Sequence, residues 1–460
     1  MEVEVFVTAG LGDNSYLVAS EGEAVAVDPQ RDAWRFLERA QALGVRVRAV
    51  LETHVHNDYA SGALEVRAAT GAEILAPAGG GYRFEHRAAT EGTTLEVGGL
   101  RLVAWETPGH TPEHLSWLLS TDQEEQPKAV FSGGSLIVGS VGRTDLLGEE
   151  LAETLARAQY RSVHRLAALP ETVALLPTHG AGSFCTATNP TLARTSTLGE
   201  ERTHNPALHL AEEEFVAAHR SGLLAYPAYY AHMASLNRAG PPVLGGPPSP
   251  PALDARRVRA HLEAGGWVVD ARDRESFAAA HIPGSVNVEL DPSFGTYVGW
   301  LLPYGAPLVL VLPPPEAEAA WEAATQLLRI GWDQVLGYLA GGLDAYLEAG
   351  GTLRSYPTGR VADLCQAFLA HEAPPAVLDV RQRAEWDAGH IPGSRHLFVG
   401  ELPARLGEVP SDREWWVICA SGHRAAMAAS LLDRAGVRVR AVTRDGVAGW
   451  LARCYPAMRR

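Results

Sequence analysis

Long apolar runs, basic charge and cysteine are all scarce in this chain of 460 residues. No apolar run approaches the roughly 18 residues that a membrane-spanning helix needs, and the opening MEVEVFVTAG lacks the basic and apolar segments of a secretory signal. Lys and Arg total 39 against 54 Asp and Glu, which gives a net charge of −15. Because nucleic acid phosphates and anionic bilayers are bound by clustered cations, we expect no nucleic acid partner and no membrane partner.

The four cysteines are Cys185, Cys365, Cys419 and Cys454. They form neither a CxxC metal pair nor the ladder of a disulfide-stabilised secreted domain. We therefore expect a cytoplasmic protein with reduced thiols, any one of which can react.

Two breaks divide the chain. The segment PPVLGGPPSPP at 241–251 cannot sustain a helix or a central strand, because proline lacks the N–H donor and glycine supplies no packing. A weaker break, GGTLRSYPTGR, occupies 350–360. The sequence therefore predicts three domains: 1–240, 252–352 and 357–460.

The second and third domains resemble each other. VVDARDRESFAAAHIPGSVNV begins at Val268, and VLDVRQRAEWDAGHIPGSRHL begins 109 residues later at Val377. Each copy has a short apolar strand, a helix, the HIPGS turn and a further strand, an order typical of a parallel α/β sheet. We expect the charged residues that both copies share to hold loops together and not to react: Asp270, Arg272, Asp379 and Arg381.

The third domain has a cysteine where a strand turns into a helix. In WWVICASGHRAAMAASLL, Cys419 is the first residue of the loop that precedes the helix. A loop at a helix N-terminus directs backbone N–H groups toward one sulfur, and the helix dipole favours an anion there. We therefore expect a thiolate able to attack sulfur electrophiles and to carry a persulfide, the alternative being a buried structural cysteine.

The CASGHR loop, with the D-x-R and HIPGS elements, resembles the rhodanese (sulfurtransferase) family across most of 357–460. The resemblance implies that Cys419 is the sulfur-carrying nucleophile and that residues 420–424, among them Gly422, His423 and Arg424, form its cradle. It also implies thiosulfate, polysulfide or a thiol persulfide as partner. The corresponding LVLVLPPPEAEAA of the second domain has no cysteine, which predicts an inactive duplicate used for packing, docking or substrate access.

Histidines follow three strand-like segments of the first domain. His54 and His56 lie in THVHNDYASG after VRAVLE, His110 lies in PGHTPEH after LRLVAWE, and His179 lies in PTHGAG after an apolar run. Metal centres commonly take imidazole ligands from several such strand ends. The sequence therefore predicts a metal site.

These segments, with GLGDNSYLVAS and AVAVDPQ, resemble the metallo-β-lactamase fold, and FSGGSLIVGSVGRTDL with PTHGAGSFC resembles its persulfide dioxygenase branch, particularly bacterial fusions to rhodanese domains. The resemblance implies an N-terminal αββα sandwich over 1–240 followed by two rhodanese α/β domains, an α+β and α/β protein overall. It implies one Fe(II) per chain that oxidises a thiol persulfide with O2 to sulfite. In the branch the ligands are the histidines matched by His54 and His110 and one aspartate.

Two residues depart from that pattern. Gly134 replaces the aspartate ligand, and Tyr59 replaces the histidine that hydrolases of this fold use for a second zinc. We therefore expect the metal to be held by His54, His56 and His110. The alternatives to Fe(II) in this site are zinc or no metal at all.

Four further residues have candidate roles in this domain. Asp58 and His179 are expected to orient the ligands by hydrogen bonds or to serve as alternative ligands. Arg143 is a candidate for binding a substrate carboxylate, or else for a loop salt bridge. Cys185 is a candidate sulfur relay or else a buried small residue. A fifth residue, His114, is expected to make a structural hydrogen bond.

The sequence thus predicts an enzyme of reactive-sulfur and hydrogen sulfide metabolism that combines persulfide oxidation with sulfur transfer at Cys419. Its expected small-molecule partners are a low-molecular-weight thiol persulfide, thiosulfate and sulfite. One alternative is a sulfurtransferase with a degenerate, metal-free first domain, and another is a zinc thioester hydrolase of the glyoxalase II type. The oligomeric state stays open, a homo-oligomer included.

Overall fold

A computed structural model describes residues 1–122, 124–188, 191–219, 223–370 and 374–454. Residues 455–460, the predicted end of the third domain, lie outside the described residues. The chain forms two compact units, 1–247 with 328–331 and 248–327 with 332–460. Within the described ranges, no helix has both the length and the apolar character needed to cross a bilayer.

The first unit contains two six-stranded sheets. The first sheet has the strand order β1-β2-β3-β4-β5-β6, antiparallel up to β3 and parallel from there on. Its strands are β1 (Glu2–Thr8), β2 (Asp13–Ser20), β3 (Glu23–Val27), β4 (Arg46–Leu51), β5 (Glu73–Pro77) and β6 (Arg87–Ala89).

The second sheet has the order β14-β13-β10-β9-β8-β7. A two-stranded hairpin of β11 and β12 follows β10 in the chain. The strands of both are β7 (Thr94–Val97), β8 (Leu100–Glu106), β9 (Leu115–Thr121), β10 (Glu124–Gly133), β11 (Leu136–Ile137), β12 (Ser140–Val141), β13 (Ala174–Pro177) and β14 (Ser196–Thr197). The helices of this unit are α1 (Trp34–Leu43), α2 (Ala63–Thr70), α3 (Glu149–Ala167), α4 (Leu198–His204), α5 (Glu212–His219) and α6 (Tyr230–Ala239), with short 3₁₀ turns at Ala78–Gly80 and Pro206–His209.

Alternation along the strands builds three apolar layers in this unit. In β2, Tyr16 and Val18 belong to the core between the two sheets, whereas Leu17 and Ala19 belong to the layer that also contains residues of α1 and α2. Successive side chains of a strand point to opposite faces, so one apolar strand can serve both layers. Residues of α3, α4 and α5 cover the outer face of the second sheet. The predicted αββα sandwich is confirmed.

The second unit contains two five-stranded parallel sheets of the same topology, β15-β19-β18-β16-β17 and β20-β24-β23-β21-β22. Their strands are β15 (Ala252–Leu253), β16 (Trp267–Asp270), β17 (Val286–Asn287), β18 (Leu308–Val311), β19 (Val335–Leu339), β20 (Thr358–Gly359), β21 (Ala376–Asp379), β22 (Arg395–His396), β23 (Trp415–Ile418) and β24 (Val439–Val442).

Helices connect these parallel strands, as crossover connections require. They are α7 (Ala255–Glu263), α8 (Arg274–Ala279), α9 (Phe294–Leu301), α10 (Glu316–Arg329), α11 (Gly342–Glu348), α12 (Val361–Ala370), α13 (Arg383–Ala388), α14 (Leu402–Arg405), α15 (His423–Arg434) and α16 (Val447–Arg453), with a 3₁₀ turn at Leu406–Glu408.

The aspartate–arginine pairs hold equivalent loops in the two copies. Arg272 donates to the Asp270 carboxylate at 2.6 Å and to the Ala280 carbonyl at 2.8 Å. The pair in the other copy does the same, with donor–acceptor distances of 2.7 Å to the Asp379 carboxylate and 2.8 Å to a backbone carbonyl. The predicted loop-holding contacts of these pairs are present.

The expectation that all four cysteines are free thiols is wrong for two of them. Cys365 of α12 and Cys454, directly after α16, form a disulfide with a Cα–Cα distance of 5.6 Å. The two helices pack against each other, and Cys454 is buried in their shared core. Cys185 and Cys419 are free and buried.

Candidate functional site

Three strand ends bring histidines of the first unit together, and a fourth places Gly134 beside them. His54 follows β4, His110 follows β8, Gly134 follows β10 and His179 follows β13. The side chains of these three histidines are completely buried. One ring nitrogen of each lies within 4.8 Å of the others, so the described residues form a group able to hold a metal ion.

The third member of this group differs from the predicted one. Nε2 of His179 lies 3.3 Å from Nε2 of His54. His56, which the sequence placed in the ligand set, belongs instead to two other groups, one with Asp58 and His179 and one with Asp28 and Glu52.

His56 faces a pair of buried acids. Its Nε2 lies 3.0 Å from Glu52 Oε2, 3.3 Å from Asp28 Oδ1 and 3.0 Å from the Tyr59 hydroxyl. Tyr59 also stacks on the ring, with centroids 4.3 Å apart. Burial by itself lowers the pKa of His56, but the two carboxylates outweigh it and raise that pKa to about 10.

The rings of His54, His110 and His179 differ in protonation state. Burial lowers the pKa of His110 to about 3, and burial with the neighbouring imidazoles also lowers that of His54. For His179, burial is outweighed by Asp58 and Asp13, and the pKa rises to about 10. His54 and His110 are therefore neutral, and each has a ring nitrogen with a lone pair that can bind a cation.

Two carboxylates, those of Asp13 and Asp58, lie beside Nδ1 of His179. Nδ1 of His179 lies 2.9 Å from Asp13 Oδ1 and 3.2 Å from Asp58 Oδ2. Burial and the charge of Asp58 raise the pKa of Asp13 to about 8. Burial acts on Asp58 in the same direction, but the imidazolium of His179 outweighs it and lowers its pKa. The predicted orienting contact of Asp58 is thus present, on the Nδ1 side of His179.

A buried and unsatisfied nitrogen supports metal binding at this site. Nε2 of His110 finds no hydrogen-bond partner among the described residues, while its Nδ1 lies 2.8 Å from the Arg143 carbonyl oxygen. An orphaned acceptor of this kind is costly unless a ligand completes it. The donor set of His54, His110 and His179 therefore fits a transition-metal ion, without the carboxylate of the branch pattern.

His114 is structural, as predicted. Its Nδ1 lies 2.9 Å from the Thr107 hydroxyl, and its Nε2 accepts a hydrogen bond of 2.9 Å from the backbone N–H of Gly134. Both ring nitrogens are therefore engaged.

The structure engages Arg143 and Cys185 in ways that do not favour their proposed roles. Arg143 is buried, pairs with Asp145 at 2.6 Å and donates to two backbone carbonyls. Cys185 is fully buried, its Sγ lies 3.9 Å from the Tyr230 hydroxyl, and burial raises the pKa of the thiol. Substrate binding and sulfur relay by these residues stay predictions.

The second constellation surrounds Cys419 at the end of β23. The backbone N–H of Gly422 donates to its sulfur at 3.1 Å, and the backbone N–H of Val447 donates to its carbonyl oxygen at 3.0 Å. Gly422 has a φ of +95°, and a Cβ atom there would lie 2.0 Å from the Thr443 carbonyl oxygen. Only glycine fits, so the loop is built to bring a donor to the sulfur.

Charged side chains flank this sulfur. Arg424 pairs with both oxygens of Glu385, one contact at 2.8 Å. Two contacts come from the cysteine-free copy: Asp291 lies 3.4 Å from Nε2 of His423, and the Tyr297 ring lies 5.3 Å from the His423 ring. Burial lowers the pKa of His423 and raises that of Tyr297 to about 12.

Sequence reasoning missed several residues that position these sites. Asp28 and Glu52 had a usable signal, since each is an acid directly after an apolar strand, and Glu52 is separated from His54 by one residue. Asp13, Glu385 and Tyr297 gave none, because their partners are distant in the chain.

Comparison with known proteins assigns the domains. Residues 9–179 match the metallo-beta-lactamase superfamily, and residues 254–349 and 362–453 match the rhodanese-like domain. A hydroxyacylglutathione hydrolase of Methylobacillus flagellatus is 34% identical over 157 residues, which cover 34% of this chain and 57% of that enzyme.

Two solved structures are also similar. A metallo-beta-lactamase from Staphylococcus aureus subsp. aureus COL is 30% identical, with a TM-score of 0.66 over 73% of this chain and 98% of that one. ETHE1 from Myxococcus xanthus is 26% identical, with a TM-score of 0.45 over 52% of this chain and 99% of that one. The chain therefore belongs to the metallo-β-lactamase superfamily, with two rhodanese-like domains following its lactamase-fold domain.

Proposed function

We propose that this protein carries a sulfane sulfur on Cys419 and oxidises a thiol persulfide in its metallo-β-lactamase-fold domain. The observation that carries the proposal is the Gly422 N–H···Sγ contact at the N-terminus of α15. A helix N-terminus and a directed N–H group stabilise negative charge on sulfur. The two matched rhodanese-like domains support sulfur transfer as the chemistry of this half.

Sulfur transfer from thiosulfate to a thiol takes place in two steps. The Cys419 thiolate attacks the outer sulfur of thiosulfate, so that a new S–S bond forms, the old one breaks and sulfite leaves. A low-molecular-weight thiolate then attacks the outer sulfur of the Cys419 persulfide, giving a thiol persulfide and the free Cys419 thiolate. With sulfite as acceptor, the first step runs backward and yields thiosulfate.

The residues of the loop have distinct roles in these steps. The N–H of Gly422 stabilises the negative sulfur, and Arg424 adds a positive charge whose direction is fixed by Glu385. His423 and Tyr297 shape the approach from the side of the cysteine-free copy. This contact favours substrate access among the roles expected for that copy.

In the first domain, one Fe(II) per chain would supply O2 activation for the oxidation of the terminal persulfide sulfur. Overall, the thiol persulfide, O2 and water give the thiol, sulfite and two protons. The chain itself provides a cluster of buried imidazoles, of which His54 and His110 are neutral, and Nε2 of His110 has no hydrogen-bond partner among the described residues. Asp13 and Asp58 orient the ring of His179 through its Nδ1.

A second candidate is thioester hydrolysis, which the printed name of the M. flagellatus relative favours. Hydrolases of this fold use two zinc ions, and two positions count against them here. Tyr59 is buried against His56 where a ligand of the second ion belongs, and Gly134 has no side chain to bridge two ions. A third candidate, a sulfurtransferase with a metal-free first domain, predicts transfer without O2 uptake.

Substitutions in the two halves of the chain separate these functions. Cys419→Ser should abolish sulfur transfer from thiosulfate to cyanide or a thiol, while Cys185→Ser should leave it intact. Undiminished transfer in Cys419→Ser would refute the assignment.

His54→Ala should abolish persulfide-dependent O2 uptake and spare the transfer reaction. Persistent uptake in that variant would remove the histidine cluster from the reaction. Hydrolysis of a hydroxyacylglutathione thioester by the wild type, lost in His54→Ala and unaccompanied by O2 uptake, would favour the hydrolase instead.

A further inference from the structure

The position that should supply a carboxylate ligand is sterically closed. A Cβ atom built on Gly134 would lie 2.2 Å from Cδ2 and 2.8 Å from Nε2 of His110. The backbone at Gly134 is held in place, because its N–H donates a hydrogen bond of 2.9 Å to Nε2 of His114. The ring of His110 thus occupies the place of the missing side chain, and an aspartate here would displace it.

Hydrogen bonds fix which nitrogen of His54 and His110 is free. The Arg143 carbonyl oxygen can only accept, so Nδ1 of His110 carries the proton and its Nε2 presents a lone pair. The Thr53 hydroxyl donates its one proton to Asp28 at 2.7 Å, so it accepts from Nδ1 of His54, 2.8 Å away. Nε2 of His54 also presents a lone pair.

His179 is oriented in the same way. Asp13 accepts from its Nδ1 at 2.9 Å and Asp58 lies 3.2 Å from the same atom, which leaves Nε2 directed at His54. Binding of a metal ion there displaces the Nε2 proton of the imidazolium. Two imidazole nitrogens bound to one ion at about 2.0–2.1 Å in a tetrahedral arrangement lie roughly 3.3–3.4 Å apart. The Nε2–Nε2 distance of 3.3 Å between His54 and His179 matches this spacing.

We infer that His54, His110 and His179 bind one divalent transition-metal ion through Nε2, with His179 in place of the lost carboxylate ligand. The inference rests on the metal domain of the proposed function and names its ligands. His56 is not a ligand of this ion, because Glu52 and Asp28 hold its Nε2 and because it belongs to other groups of potential ligands. Asp13 and Asp58 lie beside Nδ1 of His179, on the side of the ring opposite the ion. They therefore supply negative charge near the ion without binding it.

The test is metal binding by the full chain, measured without turnover. Wild type, His179→Ala, His179→Gln, His56→Ala and Gly134→Asp are each titrated with Zn²⁺ against a competing chelator. His204→Ala, at an exposed histidine of α4, is the matched control. Circular dichroism and thermal unfolding verify the fold of each variant, and zinc X-ray absorption of the wild type counts the bound imidazoles.

We expect one Zn²⁺ per wild-type chain, three imidazoles in the absorption spectrum, and wild-type affinity in His204→Ala and His56→Ala. Both His179 variants should bind at least about a hundredfold more weakly, since even outer partners of a ligand cost 10- to 100-fold. Gly134→Asp should also bind more weakly than the wild type, although it restores the missing ligand type.

The inference is overturned if folded His179 variants keep wild-type affinity, if folded His56→Ala loses it, if Gly134→Asp binds more tightly, or if the wild type binds no ion. Sulfur transfer is measured on the same samples. If the metal-binding result contradicts the inference while sulfur transfer persists, the ligand assignment is wrong and the role of Cys419 is unaffected. If sulfur transfer persists in Cys419→Ser, the role proposed for Cys419 is wrong instead.

Discussion

Substitution of Gly422 by alanine tests the Cys419 cradle with a single added methyl group. The new Cβ would lie 2.0 Å from the Thr443 carbonyl oxygen and 2.7 Å from the Thr443 Cα, so backbone must move. The φ of +95° adds a cost of roughly 1–2 kcal/mol for an L-residue.

The expected effect on rate follows from the hydrogen bond that this movement breaks. The Gly422 N–H donates to Cys419 Sγ at 3.1 Å, and a hydrogen bond to a charged group contributes about 1.5–3 kcal/mol. Its loss from the transition state slows sulfur transfer roughly 10- to 150-fold, at 1.36 kcal/mol for each tenfold change. Steady-state transfer from thiosulfate to cyanide and single-turnover loading of Cys419 measure the change.

Gly436→Ala is the matched control. Gly436 follows the other end of α15 with a φ of +80°, and a Cβ there would meet open space. This variant bears a comparable backbone strain without a clash near the sulfur, so the melting temperature should fall and the transfer rate should not. A wild-type rate in Gly422→Ala, or an equal loss in Gly436→Ala, would refute the reasoning.

Two further predictions concern stability. Reduction of the Cys365–Cys454 disulfide, which spans 89 residues, should lower the free energy of unfolding of the last domain by about 4.5 kcal/mol; equal urea unfolding curves with and without reductant would contradict this. In metal-free protein the pKa of His56 is raised from 6.5 to about 10, so its stabilisation is complete below pH 6.5 and is lost as the pH rises through 10. The first unit should therefore become less stable across that range, and less steeply in Glu52→Gln; a flat or rising melting temperature would be inconsistent with the Glu52–His56 contact.

Local sequence signals were enough to predict the duplicated sheets and the histidines that follow strands of the first domain, whereas the sandwich and the matching of His54 and His110 to metal ligands came from the family resemblance. Each local signal rests on a short apolar strand that ends in a turn with chemically distinctive residues, and such patterns are contained within about ten positions. The Cys419 loop was predictable for the same reason.

Ring orientation was not predictable from those signals. Whether His56 or His179 joins His54 depends on which distant acid binds each ring: Asp28 lies 28 positions before His56, and Asp13 lies 166 before His179. The Cys365–Cys454 disulfide likewise depends on the packing of α12 against α16, which the spacing of the cysteines does not encode. The salt bridge of Arg143 with Asp145 is one of the two roles that the sequence predicted for this residue.

The most direct test of sulfur carriage is intact-protein mass spectrometry after incubation of the full chain with thiosulfate, followed by peptide mapping. We expect each wild-type chain to gain the mass of one sulfur atom, located on the peptide that contains Cys419, and we expect Cys419→Ser to gain none. No gain in the wild type, or a gain located on Cys185, would contradict this expectation.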